Sequence, residues 1–223
     1  MATTRARPGA PVGWDDSMTT NPEPTTSPLV TTSAEAPTFP PRTDLTDGVV
    51  LLREPGADDA DSIVAGATTP DVVRYTRVPS PYGPEDVEAI LRIAREGWAA
   101  STDAVFAVCD AAEPGELLGL IGLHGVDLTG DPGGTGEVGY WLRTEGRGRG
   151  LMTRSVRLVS DWAFRELGLA VITWYAVVGN DASRRVAEAA GYTVEGMLRL
   201  GAENRGRRED TWVGSLLPDD LRP

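Results

Sequence analysis

The stretch EVGYWLRTEGRGRGLMTRSVRLVSDWAF, residues 137–164, constrains the fold more than any other part of the chain. An apolar strand ends, a short loop of glycine and arginine follows, and a helix begins at once. Apolar positions at Met152, Val156, Val159, Trp162 and Ala163, with Ser155 among them, recur at helical spacing, and Gly168 suits the helix C-terminus. Glycines let the backbone approach a ligand closely. The unpaired N–H groups at a helix start favour an anion. Arg147 and Arg149 bring positive charge to the same loop. The segment therefore suits a pyrophosphate.

Composition narrows the ligand. All 21 basic residues are arginine, so there is no lysine for a Walker-type phosphate loop or a pyridoxal Schiff base. Counted from Gly146, a dinucleotide fingerprint needs its third glycine where Leu151 stands. Cys109 is the only cysteine and His124 the only histidine, which excludes an intrachain disulfide, a cysteine zinc cluster and a two-histidine metal site. No metal is expected. The net charge of -12 disfavours nucleic acid and anionic membrane surfaces as partners, and suits a cationic acceptor such as an amine. No run of about 20 apolar residues is present, and no apolar core follows the first arginines, so the expectation is a cytoplasmic protein without a secretory signal.

Residues 1–46 differ from the rest. Eight of the 17 prolines lie between Pro8 and Pro41, among many threonines and few large apolar residues. Such a segment buries too little apolar surface to offset the entropy of ordering, and a disordered tail is expected. A single domain over 47–223 follows. Its expected elements are a strand at 49–52, a helix at 57–66, a proline-rich loop with a broken helical turn, and a helix at 85–100. Strands at 104–109, 117–125 and 137–142 form an antiparallel meander. After the 151–167 helix come a strand at 171–178, a helix at 182–190 capped by Asn180 or Asp181, and strands at 192–198 and 210–217. The sum is a mixed α/β sheet of about seven strands, largely antiparallel, with about four helices.

Two segments together resemble a known family. Arg147, Gly150 and Met152 occupy the ends and centre of the R-x-x-G-x-G/A loop that binds CoA in the GNAT superfamily, with Met152 in place of a small residue. GNDASRRVAEAAGYTVEGMLR, residues 179–199, resembles the N-x-x-S-x-x-V/A…G-F/Y…E-G-x-L-R segment of the Rim-type, ribosomal-protein N-terminal acetyltransferases. Residues 70–92 look like the substrate-side helices of that group, and the resemblance runs from about Gly48 to Leu217.

That resemblance implies a GNAT fold whose central strands, carrying EVGYWL and VITWYAVV, splay to admit acetyl-CoA as co-substrate. Pantetheine would pair near Leu142, Arg143 and Thr144, with the pyrophosphate on Arg147, Gly148, Arg149, Gly150, Leu151 and Met152. It implies direct transfer of acetyl to a primary amine, a protein N-terminus or a small molecule, without a covalent enzyme intermediate. A main-chain N–H would stabilise the oxyanion. Many relatives take the acid from a tyrosine on the helix after VITWYAVV. That helix has none here, and Ser183 stands at the Rim-type position, as acid or as helix cap. Asn180 is assigned a contact with the pantetheine or a bond within its own turn. Glu137, Glu203 and His124 are the candidates for the base, beside a water chain. Trp98, Trp141 and Trp174 are read as core before acceptor pocket. Homodimers are usual in such families. The alternative is a GNAT-fold sensor or scaffold that binds acyl-CoA without turning it over.

Overall fold

The structure, a computed structural model, describes residues 37–221. Eight strands form one sheet: β1 (Leu45–Thr46), β2 (Val50–Arg53), β3 (Ala104–Asp110), β4 (Gly119–Asp127), β5 (Gly134–Leu142), β6 (Leu169–Val177), β7 (Thr193–Asn204) and β8 (Arg207–Leu216). The helices are α1 (Ala60–Ala67), α2 (Pro70–Tyr75), α3 (Pro84–Ala100), α4 (Leu151–Glu166) and α5 (Asp181–Ala190). The sheet order is β1-β2-β3-β4-β5-β6-β8-β7. Every neighbouring pair is antiparallel except β5 and β6, which run parallel because α4 carries the chain across between them.

The described residues therefore hold one strand and one helix more than the sequence suggests. The added helix is α2, where a loop with a broken helical turn is expected; Thr69 and Pro70 open it in the positions a helix start favours, and it stops after six residues. The added strand is β1, two residues antiparallel to β2. The helix expected from residue 57 begins as a 3-10 turn over Ala57–Asp59.

The expected tail boundary also moves. Of the 1–46 segment, residues 1–36 lie outside the described residues. The remainder packs on the domain. Phe39 is buried, edge-on to Trp98 and Trp162 at centroid distances of 5.3 and 5.9 Å. Arg42 stacks over Trp98 at 4.2 Å and donates to the carbonyls of Ala94 and Val105. Three aromatics and an arginine supply the contacts that a proline-rich composition hides.

Alternation along the strands sorts the core onto two faces. Phe106, Ile121, Leu123, Val138 and Trp174 pack with Val156, Val159 and Trp162 of α4. On the other face, Val105, Ala107 and Leu120 pack with Ile63 of α1 and Val87, Leu91 and Ala94 of α3.

The feature that positions a site is the parallel pair. β5 and β6 pair from Gly134–Leu169 to Val138–Trp174, with a register shift after Gly134, and then separate. Beyond that point each keeps only its outer neighbour: Leu142 stays opposite Gly119, and Ala176 stays opposite Trp212. A wedge opens between them.

Candidate functional site

Two cavities meet at this wedge. One, of about 470 Å³, lies against the starts of α4 and α5; the other, of about 810 Å³, opens on the α1–α3 face. Both are lined by Tyr75, Thr76, Tyr140, Trp141, Asn180 and Ser183.

The smaller cavity ends on the glycine-arginine loop. Gly148 and Gly150 have φ of 72° and 74°, the left-handed region, and Gly150 caps α4. The first helical bond runs from Arg154 N–H to the Gly150 carbonyl, so the N–H groups of Leu151, Met152 and Thr153 precede it. The side chains of Leu151 and Met152 are buried in the core. Met152 thus replaces a small residue by packing inward, leaving its N–H at the helix start. The arginines are less free than their charge suggests. Arg147 donates twice to the Leu142 carbonyl and pairs with Asp71 at 2.5 Å, and Arg149 pairs with Asp110. In this arrangement the anion-directed donors are main-chain groups, with Arg147 at the rim.

The open edge of β5 is equally specific. Arg143 N–H donates to the Leu118 carbonyl, and the carbonyls of Arg143 and Thr144 accept from Gly146 and Arg147. Because antiparallel bonding alternates, Tyr140 and Leu142 turn their main-chain groups away from β4 and toward the wedge. Of Leu142, Arg143 and Thr144, Leu142 is therefore the one facing a strand-like ligand, through its N–H, since its carbonyl already takes Arg147; Tyr140 joins it.

Asn180 caps α5, its Oδ1 accepting from Ser183 N–H at 3.2 Å. Ser183 Oγ accepts from Trp174 Nε1–H at 3.1 Å and lies 3.2 Å from the Tyr140 hydroxyl, which itself donates to the Ser183 carbonyl at 3.0 Å. Burial pushes the Tyr140 hydroxyl up, against the opposing effect of its hydrogen bonds, so it is neutral at physiological pH. A tyrosine hydroxyl thus reaches the start of α5 from β5, where α5 itself carries none. Its signal in the sequence is parity: in EVGYWL, Tyr140 shares a face with Val138 and Leu142, opposite Glu137.

On the larger cavity, Glu137 lies 3.6 Å from Arg77, and Glu203 lies 3.7 Å from Arg208 on the neighbouring strand. His124 faces the same cavity. Its Nδ1 is 2.9 Å from Asp103 Oδ1, a partner that sequence reasoning did not assign. Trp98 and Trp174 pack in the core, Trp174 also lining the larger cavity, whereas Trp141 is partly buried and lines both cavities, with its ring against Gly66, where a Cβ would clash. Among the described residues, no cluster of three His, Cys, Asp or Glu could hold a metal, and no helix is long and apolar enough to cross a membrane.

Residues 50–193 match the family model of the acetyltransferase (GNAT) domain. That is more than half of the chain, and the chain belongs to this family. It is 38% identical over 103 residues to YdaF of Bacillus subtilis (strain 168), provisionally named a ribosomal N-acetyltransferase; the match covers 46% of this chain and 55% of YdaF, about half of that relative's length. Among solved structures, a ribosomal-protein-S5-alanine acetyltransferase of Vibrio fischeri is 25% identical, with a TM-score of 0.68 over 82% of this chain and all of that one. RimJ of Mycobacterium smegmatis, solved in complex with CoA-disulfide, has a TM-score of 0.70 over 81% of this chain and 88% of its own at 20% identity, a likeness of fold.

Proposed function

We propose that the protein transfers an acetyl group from acetyl-CoA to a primary amine, by direct attack in a ternary complex. The observation that carries this reading is the wedge between β5 and β6, with a glycine-opened helix start at one end and an ionisable cleft at the other. The pyrophosphate takes the N–H groups around Gly150 to Thr153, with Arg147 and Arg149 beside it. The pantetheine pairs with the open edge of β5 at Tyr140 and Leu142. A main-chain N–H on that edge meets the developing oxyanion. Asn180 fixes the start of α5, and Ser183 supplies the proton to the leaving thiolate, with Tyr140 and Trp174 holding its hydroxyl. The acceptor amine enters from the α1–α3 face, where Glu137, Glu203 and His124 can take its proton. YdaF and the Vibrio fischeri enzyme bear names that point to the ribosome and, for the second, to an alanine of protein S5; a protein N-terminus and a small amine both fit the same chemistry.

The test is titration with acetyl-CoA by calorimetry, followed by thiol release against a panel of amines and short peptides with free N-termini. Binding with release on one acceptor is expected. Absence of binding overturns the reading. Tight binding without release on any acceptor favours the sensor, which the engagement of both loop arginines with carboxylates keeps in view.

A further inference from the structure

One charged cluster of the larger cavity is organised more closely than its composition requires. His124 sits on β4 directly across from Glu137 on β5. Ala104 of β3 pairs with Leu123, so Asp103 stands across from His124 on the other side. The acid is held in place from two directions. Asp103 N–H donates to the Gly97 carbonyl at the end of α3, where Gly97 leaves no room for a side chain against Asp103. Val126 N–H donates to the Thr102 carbonyl at 2.8 Å, at the bulge that follows His124.

The ring has a defined direction. A Cβ on Gly122 would lie 2.8 Å from His124 Nε2, and one on Gly139 would lie 3.7 Å from it. The imidazole therefore lies flat over two glycines, reaching toward β5. Gly139 is the first residue of β5 past its last pairing with β6. Nε2 thus sits at the mouth of the wedge, on the α1–α3 face. A carboxylate only accepts, so Asp103 fixes the proton on Nδ1 and leaves the Nε2 lone pair toward the cleft.

Resting on the transferase reading above, we propose that His124 is the base that deprotonates the acceptor amine, and that Asp103 is its positioning residue. The acceptor ammonium gives one proton to Nε2. The neutral amine then forms the C–N bond as the C–S bond breaks. Its second proton goes to the departing sulfur through Ser183, and the imidazolium returns the first to solvent through the open cleft. The other charged groups facing this space are Arg77 after α2, Asp86 on α3, Glu137 on β5 and Glu203 on β7. Asp86 accepts from Gly83 N–H as a helix cap, and both glutamate carboxylates already face an arginine within 4 Å. Tyr75, Tyr82, Tyr140 and Tyr175 add hydroxyls, of which burial pushes Tyr82 up to about 12 and Tyr140 higher.

The experiment compares the wild-type chain with His124→Gln and Asp103→Asn. It reads acetyl-CoA affinity by calorimetry, thermal melting, and the pH profile of kcat/KM with the panel acceptor that wild type turns over best. For His124→Gln, unchanged acetyl-CoA affinity and a loss of about 10²–10³-fold in kcat/KM are expected, with residual activity climbing as the acceptor itself loses its proton at high pH. Asp103→Asn should keep acetyl-CoA affinity, lose roughly tenfold or more in kcat/KM, and displace the acid limb of the profile. Should His124→Gln fail to fold, the Asp103→Asn profile decides alone. Wild-type turnover and an unaltered acid limb in either folded variant overturn the proposal. Failure of wild type to bind acetyl-CoA or release thiol is a separate result, which sinks the transferase reading and the base assignment with it.

Discussion

Ser183 Oγ is the most shared atom of the site. It takes the indole hydrogen of Trp174, which is almost fully buried, and lies within bonding distance of the hydroxyl of the half-buried Tyr140. Ser183→Ala should lower kcat by about 10²-fold while leaving acetyl-CoA affinity within a few-fold, read by thiol release and calorimetry. The indole left without a partner costs about 1–2 kcal/mol in the same variant, visible in urea unfolding. A second residue-scale prediction concerns Asp59, which is 3% exposed. Burial raises its pKa, but the bidentate bonds from Arg53 at 2.7 and 2.8 Å and one from Gly56 N–H outweigh that and hold it below the usual carboxylate range. A group depressed in the folded state contributes stability above its unfolded pKa and loses it as pH falls through the folded value. Stability should therefore drop below about pH 4 in wild type. Asp59→Asn should flatten that acid dependence and cost about 2 kcal/mol at neutral pH, measured by denaturant titration at several pH values.

At the scale of elements, the start of α4 depends on one backbone angle. Gly150 has φ of 74° and open space around it, so Gly150→Ala meets strain without a clash. The expected cost is about 1 kcal/mol, or roughly 2–4 °C in Tm, together with weaker acetyl-CoA binding as the N–H groups turn away. Thermal melting with and without acetyl-CoA separates the two effects. This element was legible in the sequence because its signals are local: glycine, then apolar residues at helical spacing. The same is true of α5, with Asn180 before it and Gly191 after it. β1 was not legible and α2 only as a broken helical turn, since two residues at Leu45 and six ending at Tyr75 carry no period. The arginine partners were hidden for another reason. Arg147 finds Asp71 and Arg149 finds Asp110 only once α2 and β3 are folded against the loop. Tyr140 meets Ser183 across 43 residues, and His124 meets Asp103 across 21, separations that no local pattern encodes.

The whole molecule carries a net charge of -12, and the larger cavity adds Asp86, Glu137 and Glu203 against Arg77. A cationic acceptor should be drawn to this face, and salt should screen the attraction within a Debye length of about 10 Å at 0.1 M. kcat/KM for an acceptor peptide with added arginines is expected to fall several-fold as salt rises, and for one with added glutamates to rise; steady-state assays across a salt series check this. The two cavities also draw on different stretches of chain. Apart from residues 71–76, the smaller one is built from residues 140–186, while most of the larger one comes from 75–141 and 201–211. The interior of a protein of this design can therefore drift in one half while the other is held by selection. A chimera taking α1, α3 and its last hairpin from a relative, and keeping α2, should change which amine is accepted and leave the nucleotide thioester unchanged, so that lineages of such chains can diversify their clients without renegotiating their donor.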